Sequence, residues 1–253
     1  MTVMEFFGCG FLAFGPPLAM FSLTIAKDPV RIIILMASAF CWLLSLLLSS
    51  LLWFAVVPLR DTLAFGLVGS VLFQEWFRYL IYKLLRKAES GLKKVTDAET
   101  QISNNKHVLA YVSGLGFGIM SGAFALVNVL ADSAGPGTMG LRGGSDLFFV
   151  TSAAATLALI LLNTFWGVIG FSALDNRNYL QIAWVLGSHM LLSCLTLLNR
   201  DLRYAETLIP AYLILAATAV IAFNVAGGTA KSLKASLALN VNPSRLDVYE
   251  EIR

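Results

Sequence analysis

Charge is scarce in this 253-residue sequence: Asp, Glu, Lys and Arg make up 13% of it against 58% hydrophobic residues, outside the balance of a soluble domain. Cysteine is scarce too. Cys9, Cys41 and Cys194 lie in apolar runs and share no CxxC spacing, which leaves neither a disulfide framework nor a zinc knuckle and assigns them to packing or lipid-facing positions. A zinc hydrolase needs three or four His, Cys or carboxylate ligands in one place, and the membrane interior offers His189 and Glu75. Asp28, Asp61, Asp97, Asp132, Asp146, Asp175, Asp201 and Asp247 fall in loops, at span ends or in the tail, so the two carboxylates of an aspartyl mechanism are missing. There is no GxSxG elbow and no N-x-S/T sequon with x other than proline. No metal, cofactor or self-sufficient active site is expected.

Long apolar runs are abundant. A bilayer core about 30 Å thick takes about 20 apolar residues per helix, and seven runs qualify, at roughly 3 to 26, 32 to 57, 62 to 84, 107 to 131, 147 to 171, 178 to 199 and 204 to 226. The expected fold class is therefore an all-α membrane protein, a seven-transmembrane-helix bundle over residues 1–230 with a short tail at 231–253. The first run exceeds the apolar core of a signal peptide and lacks a basic region before it, so it is expected to stay as a span. Lys and Arg fall very unevenly between the two sides. Thirteen lie in the first, third and fifth loops and the tail, and four, Arg60, Arg142, Arg200 and Arg203, in the other loops. This places the amino terminus in the lumen or outside and the tail in the cytosol. The net charge of +3 then reflects cytosolic loops and no nucleic-acid partner.

The fourth run, "AYVSGLGFGIMSG", spaces Ala110, Gly114, Gly118 and Gly122 four residues apart. In water each mid-helix glycine costs about 0.5 to 1 kcal/mol relative to alanine. In lipid, helices associate through close backbone packing that small residues permit. The stripe calls for another backbone, either a helix of the same chain or a separate subunit. Gly116 lies on another face, where alanine is expected to be the milder change. A nucleotide-binding reading of Gly114, Gly116 and Gly118 fails because no strand precedes them.

Ionisable groups inside spans are costly and mark candidate sites. Gln74, Glu75 and Arg78 fall in the third run, Asn163 in the fifth and His189 in the sixth. Glu75 and Arg78 are spaced i, i+3 and Gln74 and Arg78 i, i+4, within pairing reach. Glu75, Asn163 and His189 lie roughly 10 to 15 Å from the cytosolic ends at 1.5 Å per residue. They are expected to share a polar layer that locks helix packing rather than one that performs chemistry.

The strings "FFGCGFLAFGPPLAM", "DPVRIIIL", "QEWFRYLIYKLLRKAESGL", "LAYVSGLGFGIMSG", "ADSAGPGTMGL", "LLNTFWGVIGF", "GSHMLLSCLTLLN" and "AGGTAKSL", in order from about residue 5 to 235, resemble the anterior pharynx-defective subunit of γ-secretase. The resemblance implies a noncatalytic seven-span scaffold that works with nicastrin, presenilin and the presenilin enhancer subunit among membrane lipids of the endoplasmic reticulum, Golgi and plasma membrane. It implies support for processing of type I membrane proteins such as Notch and amyloid precursor protein. It also makes Gly114, Gly118 and Gly122 assembly determinants and places the family's polar span residues on Glu75, Asn163 and His189, with Asn163 standing where the family has histidine. Topology alone also fits a self-contained seven-span receptor or a transporter with Glu75, Arg78 and His189 on an ion or proton path. Against a transporter, neither half of the chain repeats the other.

Overall fold

The computed structural model describes residues 3–59, 62–95, 106–134, 148–201 and 204–229. These form seven long helices: α1 (Val3–Thr24), α2 (Pro29–Ala55), α3 (Leu63–Val95), α4 (Lys106–Ala134), α5 (Phe148–Asn176), α6 (Tyr179–Leu195) and α7 (Tyr204–Val225). Single 3-10 segments follow α2 and α6, at Val57–Leu59 and Thr196–Asp201, and no strand occurs among the described residues. The expected tail at 231–253 and most of the 132–146 connector lie outside the described residues, as do Arg60, Arg142 and Arg203.

Local chemistry sets the helix ends. Asp28 caps α2, its Oδ1 accepting from the Val30 amide at 2.9 Å, with Pro29 at the first helical position, where its missing N–H costs nothing. Asn178 caps α6 through the Gln181 amide. The short α5–α6 turn forces Arg177 to a φ of 55°, the left-handed region that side chains seldom enter, and so folds α6 back along α5. Pro16, Pro17 and Pro210 lie inside α1 and α7, as membrane helices tolerate.

Six of the helices are long and apolar enough to cross a membrane. The exception is α3, whose apolar stretch is interrupted by Gln74, Glu75 and Arg78 and which continues to Val95, about three turns beyond the expected span end near 84. Composition therefore does not mark α3 as a span, where the sequence reading expects one. The sixth run is a candidate span over Tyr179–Asn199, as expected, with its last residues in a 3-10 segment rather than α-helix.

α5 is the axis of the bundle. It packs against α1, α4, α6 and α7, while α2 packs against α3 and α4. Burial follows that arrangement, for α5 is enclosed almost without interruption from Asn163 to Ala173, the signature of a helix apolar on all sides. The outer helices leave large apolar side chains uncovered, including Phe11 and Leu23 on α1, Ile33 and Phe40 on α2, and Leu213 and Val220 on α7.

Candidate functional site

The glycine stripe of α4 lies directly on α5. A Cβ added at Gly114 would stand 2.7 Å from the Thr164 carbonyl oxygen, and one at Gly118 would stand 2.5 Å from that of Ile160, so side chains there would push two backbones apart. At Gly122 the obstacle is the Ile160 side chain, which can shift. Gly167 answers from α5: its Cβ would lie 2.8 Å from the Gly114 Cα. Sequence reading missed Gly167. Its signal was the four-residue spacing from Asn163, which puts both on the face of α5 that meets the stripe.

Gly116 does lie on another face, and that face is tight as well. Its Cβ would meet the Leu35 carbonyl oxygen of α2 at 2.5 Å, as close as any contact of the stripe itself. α4 is therefore narrow on two sides, with α5 on one and α2 on the other. The Ser38 hydroxyl donates to Ser113 Oγ at 3.0 Å across the second seam.

Above the first seam the structure gathers four of the five polar candidates. Glu75 sits between two partners, with Oε1 2.6 Å from His189 Nδ1 and Oε2 3.2 Å from Arg78 Nε. A carboxylate only accepts, so Nδ1 carries the shared proton. Arg78 donates through Nη1 to the Asn163 carbonyl at 3.0 Å and through Nη2 to Asn163 Oδ1 at 2.8 Å. The Asn163 amide nitrogen then donates to Ser121 Oγ on α4 and to the Leu159 carbonyl. His189 stacks on Trp166, centroids 4.4 Å apart, and Trp166 Nε1 donates to Ser188 Oγ. Thus α3, α4, α5 and α6 meet in one network.

Arg78 is 5% exposed and Asn163 wholly buried, so the guanidinium is held by Asn163 instead of reaching water. Buried charges persist when paired and hydrogen-bonded in this way. Gln74 faces elsewhere. Its Oε1 accepts from Trp42 Nε1 at 3.2 Å and its amide donates to Ser70, tying α3 to α2.

A second ionic cluster lies at the end of the bundle that carries Arg177; its Arg86–Glu89 part is an i, i+3 pair on α3, while Asp175 comes from α5 and had no local signal in the sequence. Arg86 forks onto Asp175 with Nε and Nη2 and reaches Glu89 with Nη1, while Tyr82 donates to Asp175 Oδ1 at 2.8 Å. Burial disfavours the charged guanidinium there, but Asp175 and Glu89 outweigh it and hold the Arg86 pKa above its ordinary value. Of the cysteines, Cys9 is buried, Cys41 half-buried and Cys194 exposed. Among the described residues no group of three or more His, Cys, Asp and Glu gathers to hold a metal.

A bundle of long apolar helices with a backbone-tight glycine seam and an internally paired polar layer defines a multi-pass membrane protein of the all-helical class. The family described as Aph-1 protein matches residues 4–229, and this chain belongs to it. It is 62% identical over 234 residues to the γ-secretase subunit Aph-1 of Drosophila melanogaster, covering 92% of this chain and 98% of that one. It is 50% identical to γ-secretase subunit Aph-1b of Danio rerio and 47% identical to γ-secretase subunit APH-1B of Homo sapiens, each over 94% of both chains.

Proposed function

We propose that this chain is a noncatalytic scaffold subunit of γ-secretase, holding the other subunits in register within the membrane. The observation that carries the reading is the near full-length identity to the Drosophila subunit. The internal chemistry is consistent with it. The polar groups of the layer bond to one another, and the glycine stripe is satisfied by α5, so the exposed apolar faces of α1, α2 and α7 are the surfaces offered to partners. Those partners are nicastrin, bound early, presenilin, whose carboxy-terminal region the scaffold receives, and the presenilin enhancer subunit. The chain resides with them in the endoplasmic reticulum, Golgi and plasma membrane, and supports cleavage of type I membrane proteins such as Notch and amyloid precursor protein. Gly114, Gly118 and Gly122 serve assembly by fixing the α4–α5 pair that those surfaces frame. Affinity purification of the tagged chain in mild detergent should recover a stoichiometric complex with the three other subunits. Recovery of the chain alone would favour a self-contained receptor or transporter.

A further inference from the structure

A cavity of 910 Å³ opens between α1, α4, α5 and α7 at the end of the bundle that carries Arg177. Its walls are sorted by depth. Thr24 ends α1, Arg31 lies in the first turn of α2, His107 in the first turn of α4 and Asn224 in the last turn of α7, so polar side chains gather at the mouth. Phe165 and Val168 of α5 stand about 16 and 12 Å from the end of that helix at Asn176, at 1.5 Å per residue, and with Ala219 and Val220 of α7 they make the deeper wall apolar. The cavity therefore runs from the headgroup level to near the middle of a hydrocarbon core about 30 Å thick, which is the depth of one leaflet. A transmembrane helix of a partner would need a cleft through the whole thickness.

The mouth is built to receive an anion. Arg31 pairs through Nε with Asp28 at 3.1 Å and donates through Nη1 to the Thr24 carbonyl at 2.6 Å. These bonds fix the guanidinium at the mouth and leave Nη2 for a ligand. The Thr24 hydroxyl donates to the Met20 carbonyl, so the Tyr111 hydroxyl donates to Thr24 Oγ1 at 3.1 Å and is held against the wall. His107 is exposed and has no hydrogen-bond or ion-pair partner among the described residues. A neighbouring cavity of 140 Å³ shares His107 and adds Lys106, while the Asp175 carboxylate beside it is taken by Arg86. No carboxylate lines the 910 Å³ cavity among the described residues. A fixed guanidinium matches phosphate oxygens, an imidazole N–H adds a donor, and Lys27 and Lys106 at the same level favour an anionic surface.

We propose that this cavity holds one phospholipid with an anionic headgroup, drawn from the leaflet on the Arg177 side. Its phosphate sits against Arg31 and His107, and its acyl chains lie along Phe165, Val168, Ala219 and Val220. The lipid joins α1 and α7, which lean on α5 from separate sides, at the one level where the cavity parts them. The site belongs to this one chain and stands whether or not the γ-secretase reading does.

Photolabelling tests the site on the full chain in phosphatidylcholine vesicles, with a phosphatidylserine probe that carries a diazirine on its acyl chain. The label should fall on the α5 and α7 peptides that contain Phe165 and Val220. Unlabelled phosphatidylserine should compete at least about fivefold better than phosphatidylcholine of the same acyl chains, the factor expected of one basic contact near the membrane surface. Ala219→Trp, which places an indole in the cavity, should abolish the labelling of both peptides. Arg31→Gln should lower the preference for phosphatidylserine about fivefold, and His107→Ala should lower it in the same direction. Because Arg31→Gln also breaks the Asp28 pair, His107→Ala carries the test should that variant fail to accumulate. Label outside α5 and α7, equal competition by the two lipids, or a preference unchanged in His107→Ala would overturn the site. Labelling that appears only once residues 230–253 are removed would make the chain's own tail the occupant and refute the lipid.

Discussion

Asn163 joins more of the molecule than any other single side chain in the layer. Its backbone oxygen and Oδ1 accept both terminal nitrogens of Arg78, and its amide nitrogen reaches Ser121 and Leu159. Leucine at this position would leave the backbone bond but strand Nη2 of a buried cation. A hydrogen bond lost from a buried charged group costs on the order of 2 kcal/mol or more. Histidine differs, because a neutral imidazole offers one accepting nitrogen to Arg78 and one donor to Ser121. Asn163→Leu should therefore lower complex yield and subunit stability in detergent, whereas Asn163→His should be tolerated. Both are read from stoichiometry, thermal unfolding and protease activity of purified complexes. Intact but inactive native complexes that Asn163→His alone switches on would mean that this position carries histidine chemistry instead of a structural bond. A transition-metal or proton-relay role is already disfavoured by the amide itself, which neither titrates near neutral pH nor ligates such metals well.

At the scale of the helix, α4 shows what periodicity reveals and what it conceals. The four-residue repeat of Gly114, Gly118 and Gly122 was readable as one face awaiting a backbone, because spacing alone decides which residues share a face. What lies opposite a face is decided by tertiary packing, so the identity of α5 as partner and the second tight contact, Gly116 on Leu35, were not readable. The same limit applies to Arg86 and Asp175, far apart in sequence and joined only when α3 and α5 pack. The extension of α3 to Val95 was hidden for another reason, since a basic amphipathic stretch reads as a connector. Gly118→Leu should separate α4 from α5 and reduce complex yield sharply, and Gly116→Ala should also reduce it by pressing a methyl group on the Leu35 carbonyl. Overpacking of this kind costs typically 1–3 kcal/mol. Gly187→Ala, where an added Cβ meets nothing within 4 Å, provides the neutral comparison. Normal recovery of partners with Gly118→Leu would remove the close-packing account, and equal recovery with Gly116→Ala and Gly187→Ala would remove the second seam.

For the whole molecule, orientation follows from where connectivity places the basic side chains. Lys27 and Arg31 lie at the α1–α2 turn, Lys83, Arg86 and Lys87 in the last part of α3, Lys106 at the start of α4 and Arg177 at the α5–α6 turn. Alternating helices bring all of these positions to one end of the bundle. We propose that this end is cytosolic, because insertion retains Lys and Arg on the cytosolic side, and a seventh crossing would then bring the tail to the same side. The Arg86–Asp175–Glu89 cluster would stand at this cytosolic end, where headgroups and water cover what the bundle leaves open, while the polar layer stays inside the apolar slab. A tag placed after Arg253 should accordingly be reached by antibody only after the plasma membrane is permeabilised, and a cysteine introduced into the 132–146 connector should react with an impermeant reagent on intact cells. Reversed accessibility of the two probes would invert the bundle, put the basic ends outside, and remove the proposed orientation.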